Sequence, residues 1–162
     1  MKTLIKDTTS RTIMKSMLLS FLLISTTSSW AAWPTGGGGT SNETVVDTVT
    51  SASGYTYVLG QFQGAAVFDG IELNSQGLND VYVLKLNQGG TVEWAIRAGG
   101  PSDDLPKGID VDAAGNVYAI GEFWNVMILD DQGFVSEGNS DVVALKLSPA
   151  GRLVWAFTAG GA

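Results

Sequence analysis

Residues 80–100 read DVYVLKLNQGGTVEWAIRAGG, and residues 141–161 read DVVALKLSPAGRLVWAFTAGG. The two stretches align without a gap at an offset of 61 residues. The same register runs upstream: Gly54 pairs with Gly115, Tyr57 with Tyr118, Gly60 with Gly121, Phe62 with Phe123 and Asp69 with Asp130. Gly77 pairs with Gly138 and Asp80 with Asp141; Gly90 pairs with Gly151, Trp94 with Trp155, and Gly99-Gly100 with Gly160-Gly161. Tryptophan is rare, so its return in phase marks a duplication rather than a coincidence. A repeat of this period implies two like units, each needing a neighbour on which to bury its faces.

Within each unit, four apolar runs are separated by turn signals. The runs cover about 44–51, 55–62, 80–87 and 91–97 in the first unit. In the second they cover about 107–112, 116–123, 141–148 and 152–158. Ser53-Gly54, Gly89-Gly90, Ala114-Gly115-Asn116 and Pro149-Ala150-Gly151 lie between them. Gaps this short predict antiparallel hairpins. A longer stretch separates the second and third runs, with Val67-Phe68 and Ile71–Leu73 in the first unit and Val126–Leu129 in the second; it predicts a small extra hairpin.

The third run locates the sheets. Along residues 80–86, Tyr82, Leu84 and Leu86 point one way and Val81, Val83 and Lys85 the other. A sheet with one wet face alternates cleanly between apolar and polar residues, and this one does not. Each sheet is therefore expected to be covered on both sides, as in a propeller whose sheets stack about an axis; a two-sheet sandwich is the alternative. The expected fold is all-β: two four-stranded antiparallel propeller blades over residues 44–104 and 105–162. Trp94 and Trp155 suit the wedge between blades, because the indole buries a large area. With Gly60, Gly121, Gly99, Gly100, Gly160 and Gly161 they are the expected structural residues of the blade.

Residues 1–31 stand apart. Lys2, Lys6, Arg11 and Lys15 precede the apolar run Met17–Ile24, and Ser29-Trp30-Ala31 offers small residues for cleavage. This is the pattern of a signal peptide, and the run is far shorter than the ~20 residues of a membrane span. Export is expected, to the periplasm, the cell surface or the medium. Residues 32–43, AWPTGGGGTSNE, have the composition of a flexible leader, and Asn42-Glu43-Thr44 matches a glycosylation sequon.

Once residues 1–31 are set aside, five cations remain against fifteen carboxylates, a net charge of −10. Nucleic acid and anionic membranes both demand a basic surface, so neither is an expected partner. Cys and His are both absent. That excludes disulfide staples, thiolate or imidazole zinc ligands, and Ser-His-Asp or Cys-His nucleophilic centres.

Carboxylates are the remaining candidates. Asp110-x-Asp112-x-x-Gly115-Asn116 resembles a calcium loop, but Ala114 and Gly121 stand where further oxygens are needed, and the first unit has no equivalent acids. A strand end followed by a turn explains it better. Asp103-Asp104 and Asp130-Asp131 read as solvated turns that could otherwise meet a cation or a basic partner. Glycoside hydrolysis needs two carboxyls at a fixed separation across a cleft, which scattered loop acids do not supply. No catalytic, cofactor-binding or metal-binding residue is expected.

From Asp104 the second unit reads DLPKGIDVDAAGNVYAIGEF, followed by DVVALKL and GRLVWAFTAGG. This resembles the bacterial beta-propeller repeat labelled SBBP, across about residues 44–161. The first unit departs from the pattern at Gly54-Tyr55-Thr56-Tyr57, where the second has Gly-Asn-Val-Tyr, and at Val49 and Ser51, counterparts of Asp110 and Asp112. The resemblance implies exported or surface-associated propellers, mostly without assigned activity. Residues 143–155 are also similar to the Trp-docking repeats of quinoprotein-like propellers. That similarity implies a Gly turn and a following Trp that lock one blade to the next; none of the cofactor-binding residues of those enzymes is matched.

The expected function is that of an exported, non-catalytic propeller repeat protein, a scaffold or binding module for an unidentified ligand or protein. The alternative is part of a propeller enzyme, a quinoprotein-like dehydrogenase or a glycosidase, with its active residues outside this chain. Propellers close with four to eight blades, so two units imply further blades or self-association, and a fragment of a longer propeller is the expectation. An apolar face left open on the second unit follows from the same reasoning.

Overall fold

The computed structural model describes residues 37–39 and 41–161; the expected signal peptide and the leader before Gly37 lie outside them. All described strands pair antiparallel, and they form three sheets. The first four-stranded sheet has the order β2 (Glu43–Thr50), β3 (Thr56–Phe62), β6 (Asp80–Leu86), β7 (Val92–Ala98). The second repeats it as β8 (Asp104–Val111), β9 (Val117–Leu129), β10 (Gln132–Leu147), β11 (Leu153–Ala159). A three-stranded sheet has the order β1 (Gly37–Gly39), β4 (Ala65–Phe68), β5 (Ile71–Asn74).

The strands follow the apolar runs closely, with two differences of physical interest. β8 begins at Asp104, ahead of the run expected from about 107, and so contains Pro106. It lies at the edge of its sheet, with a bulge between Pro106 and Gly108. An edge strand at a bulge can dispense with one N–H. The other difference concerns the leader, whose Gly-rich composition predicts flexible chain. Gly37–Gly39 instead form a strand against Ala66–Phe68. Glycine removes the side chains that would hold two backbones apart: a Cβ on Gly39 would collide with the Ala65 carbonyl.

The extra hairpin is present in both units. In the first it is β4 and β5; in the second it is the far end of β9 and β10, where Val126–Leu129 pair with Gln132–Val135. Left-handed backbone recurs at the same repeat positions. Gly64 (φ 67°) matches Asn125 (φ 60°), Asp69 (φ 48°) matches Asp130 (φ 50°), and Gly70 (φ 83°) matches Asp131 (φ 63°). Two successive positive φ values at the tip are those of a type I′ turn, whose twist suits a two-residue hairpin. Each tip folds back on the fourth strand of its own sheet: Asp69 accepts a hydrogen bond from the Val92 N–H (2.8 Å), and Asp130 accepts one from the Leu153 N–H (3.1 Å).

The core divides in two. Between the four-stranded sheets, Tyr57, Leu59 and Val83 of the first meet Ala119, Phe123, Val143 and Leu145 of the second. On the far side of the first sheet, Phe62, Tyr82 and Leu84 pack under Ala66 and Phe68 of the hairpin. The first sheet thus packs on both faces, as the two apolar faces of residues 80–86 predict, but on one side the cover is its own hairpin and is partial. The second sheet is covered on one face. Its other face presents Ile120, Val142, Trp155 and Phe157, all exposed.

Candidate functional site

The turns that follow β6 and β10 are built alike. Gly90 N–H donates to the Asn87 carbonyl and Gly151 N–H to the Ser148 carbonyl, both at 2.9 Å. Gly151 has φ 77° and lies beneath the indole of Trp94, where a Cβ would come within 3.0 Å of Cδ2. Trp94 reaches across from β7, and its Nε1–H donates to the Pro149 carbonyl at 3.1 Å. The Tyr57 ring backs it at 6.1 Å between centroids and a 52° tilt. This is a lock between the two sheets, with an apolar plate over a glycine and one polar handle satisfied by a backbone carbonyl.

Trp155 has the same local partner, Tyr118, at 6.2 Å and 58°. It is 43% exposed. Around it Ile120 is 55% and Phe157 62% exposed, with Val142 and Val154 alongside. A contiguous apolar patch of this kind marks an interaction surface. On the opposite side of the molecule, the far face of the first sheet holds an open groove of ≈240 Å³ lined by Val45, Val58, Phe68, Tyr82, Leu84 and Val92, among others.

Of the glycines expected as blade residues, all but Gly161 make room for a neighbour. A Cβ on Gly60 would strike the Thr44 carbonyl and the Tyr82 ring; on Gly121 it would lie 2.7 Å from the Leu105 carbonyl. Gly99 and Gly160 make space for the carboxyls of Asp80 and Asp141. Gly100 lies against the Val126 carbonyl, whereas Gly161 has open space around it.

Those carboxylates are the part of the site that sequence reasoning missed. Asp80, Asp104 and Asp141 are all buried. Asp80 accepts from Arg97 Nη1 at 2.7 Å and from the Gln76 N–H at 3.1 Å. Burial outweighs these bonds and raises its carboxyl above the ordinary value. Asp141 accepts from the Glu137 N–H at 3.1 Å, at the matching repeat position. The pairing of Asp80 with Asp141 in the repeat was the available signal. Asp104, expected in a solvated turn, is instead enclosed at the start of β8, where its Oδ2 accepts from the Gly100 N–H at 2.8 Å. Burial pushes its carboxyl up to about 7, and the charges of Asp80 and Asp103 add to the shift. The connection between the sheets is short, and Asn79 draws Asp104 inward by accepting its N–H at 2.7 Å.

The other acidic pairs form turns. Asp112 accepts from the N–H groups of Ala114 (3.0 Å) and Asn116 (2.8 Å), from Asn116 Nδ2 (2.8 Å) and from the Tyr118 hydroxyl (3.1 Å). These bonds, led by that of the Asn116 side chain, hold its carboxyl below the usual range. Both Asp112 oxygens serve the β8–β9 turn, and Asp110 bonds the Val111 N–H beside it (2.7 Å). Asp130 takes the Leu153 N–H and Arg152 Nη1 (3.0 Å), which lower its pKa. Among the described residues, no group of three acidic side chains is placed to hold a metal ion. The chemistry this surface offers is apolar and shape-based, with carbonyl acceptors at its turns.

No family model matches the chain, and no curated protein matches it significantly. Among the described residues no helix is long and apolar enough to cross a membrane.

Proposed function

We propose that this chain is an exported, non-catalytic repeat protein of the β-propeller type, in which each four-stranded sheet is one blade and the assembled blades form a scaffold or binding surface. One observation carries the reading: Trp94 of one sheet is locked on the Gly151 turn of the next, and its repeat mate Trp155 is poised in the same way beyond it. Such a lock makes sense where identical units follow one another. The resemblance to the bacterial propeller repeat points the same way, as does a core laid between stacked antiparallel sheets. Export is supported by the charged start and short apolar run of residues 1–31. A binding role is favoured over catalysis because Asp112 and Asp130 are engaged in turns and Asp80, Asp104 and Asp141 are enclosed.

Expression of the full chain in a bacterial host, followed by fractionation and N-terminal sequencing, tests export: the expected product begins at Ala32 outside the cytoplasm. Retention inside with residues 1–31 attached overturns it. A screen of the purified protein against sugars, peptides and calcium addresses binding, and turnover of a glycoside or an alcohol would overturn the non-catalytic reading.

A further inference from the structure

The face that the second sheet leaves open is, position for position, the face that the first sheet buries. Tyr57, Leu59, Val83 and Trp94 lie in or against the intersheet core. Their repeat mates are Tyr118, Ile120, Ala144 and Trp155, on the open side of the second sheet. The receiving surface is duplicated too. The intersheet core includes Ala119, Leu129, Val143, Leu145 and Leu147 on the second sheet's side. Their mates are Val58, Phe68, Tyr82, Leu84 and Leu86, which line the open groove on the far face of the first sheet. Where Leu59 enters the second sheet, only ≈20 Å³ of space remains; at the matching place on the first sheet ≈240 Å³ stands open. One chain therefore carries both an unfilled hole and an unseated knob, related by the same step that joins its own two sheets.

Side-chain volumes change in compensating directions. Tyr82 is larger than its mate Val143, and Ala144, which would face that region, is smaller than Val83. The chain's own β1 supplies a further match. Gly99 bridges Ile128 where the first unit leads into the second, and Gly38 pairs with Val67 at the equivalent place on the first unit. A Cβ on Gly100 would strike the Val126 carbonyl, just as one on Gly39 would strike that of Ala65. The strand position that the intersheet connection fills on the second unit is thus filled from within the chain on the first. Docking there needs only a sheet face, with no covalent link.

We infer that the open face of the second sheet docks head to tail on the first-sheet groove of a second copy of this chain, with Trp155 seated over that copy's Asn87–Thr91 turn as Trp94 is seated over Ser148–Arg152. The indole N–H of Trp155 then donates to the Gln88 carbonyl, the repeat mate of Pro149. The contact is heterologous, so it propagates until it closes into a ring. This closure rests on reading each sheet as a propeller blade; four to eight blades then correspond to about two to four copies.

The test is sedimentation of the exported chain with two one-sided variants. Ile120→Glu places a charge on the knob and leaves the groove intact; Val45→Glu places one at the exposed rim of the groove and leaves the knob intact. Like charges keep the two altered surfaces from pairing with each other. At about 100 µM the unaltered protein is expected to form a closed oligomer, and each variant a monomer. The two variants mixed are expected to form a 1:1 dimer through their remaining good faces. Trp155→Ala is expected to weaken association at least ~tenfold while leaving the denaturation midpoint of the dilute monomer in place. Circular dichroism checks the fold of each variant, with Phe157→Glu and Val45→Asp as substitutes if one fails. A monomeric unaltered protein overturns the inference, as does association that survives both variants. Failure of the mixture to pair while the unaltered protein associates shows a face-to-face contact and overturns it as well. None of these results bears on export or ligand binding, so docking can fail while the functional reading stands.

Discussion

Leu59 and Ile120 hold the same place in the repeat, yet Leu59 is 1% exposed and Ile120 55%. A weaker form of the contrast separates buried Tyr57 from half-buried Tyr118, and half-buried Trp94 from exposed Trp155. Local structure is nearly identical in the two units: strand order, left-handed turn residues and aromatic pairs all recur. What differs is the neighbour. The second sheet stands against the first sheet's inner face, and nothing described stands against the second sheet's outer one. Apolar pattern sets which residues can be buried, and contact with a partner surface sets which are.

The largest test of that comparison is a pair of truncations in dilute protein. Leu59→Ala is expected to destabilise the fold by about 3 kcal/mol, because it removes buried methyls and leaves a cavity between tightly packed sheets. Ile120→Ala is expected to cost less than about 1 kcal/mol, since its side chain is half in water already. Denaturant titration at low concentration measures both; equal losses would mean the outer face is covered in the monomer.

Trp94→Ala and Trp155→Ala sharpen it at the lock. Trp94→Ala is expected to cost about 2 kcal/mol through the apolar area it leaves uncovered between the sheets. Trp155→Ala should lower the unfolding free energy by less than about 0.5 kcal/mol.

Acidity probes the buried connection between the sheets. The folded pKa of Asp104, about 7, lies above its ordinary 3.8, so folding favours the protonated form. Its contribution is fully present below about pH 3.8 and is lost as the pH rises through about 7. Stability at pH 8 is expected to be lower than at pH 5.5 by about 2 kcal/mol, and Asp104→Asn is expected to flatten that difference. Asp80 shifts in the same direction. Asp112 and Asp130 act oppositely and in a lower window: their depressed values support the fold above 3.8 and fail as the pH falls below it. A thermal-melt series from pH 3 to 8 separates the two.

The smallest effect is at the hairpin tips. Asp131 adopts φ 63° where the first unit has Gly70 at 83°. Asp131→Gly is expected to stabilise by up to about 0.5 kcal/mol by relieving a side chain in left-handed backbone. A destabilised variant would show that Asp131 makes a compensating interaction.

Much of this was legible beforehand. Apolar runs placed the eight main strands, and Gly-containing turns placed their hairpins. The repeat singled out Trp94, Gly99 and Gly160 before their neighbours were known. The strand at Gly37–Gly39 was not legible, because glycine-rich composition looks the same in a flexible leader and in a strand that needs close backbone approach. Asp104 was misread as solvated for a related reason. A carboxylate beside a turn is usually wet, and only the closure of the connection around it makes this one dry.

The sequence by itself determined two like antiparallel units, their strand faces, their turn residues and the phase of their tryptophans, because these depend on local periodicity and backbone sterics. The tertiary structure alone decided that the first sheet is roofed by its own hairpin, that Trp94 closes on Gly151, that three aspartates are enclosed, and that the face around Trp155 stays open. Those outcomes depend on which surfaces meet in three dimensions, and two copies of one pattern cannot encode that difference locally.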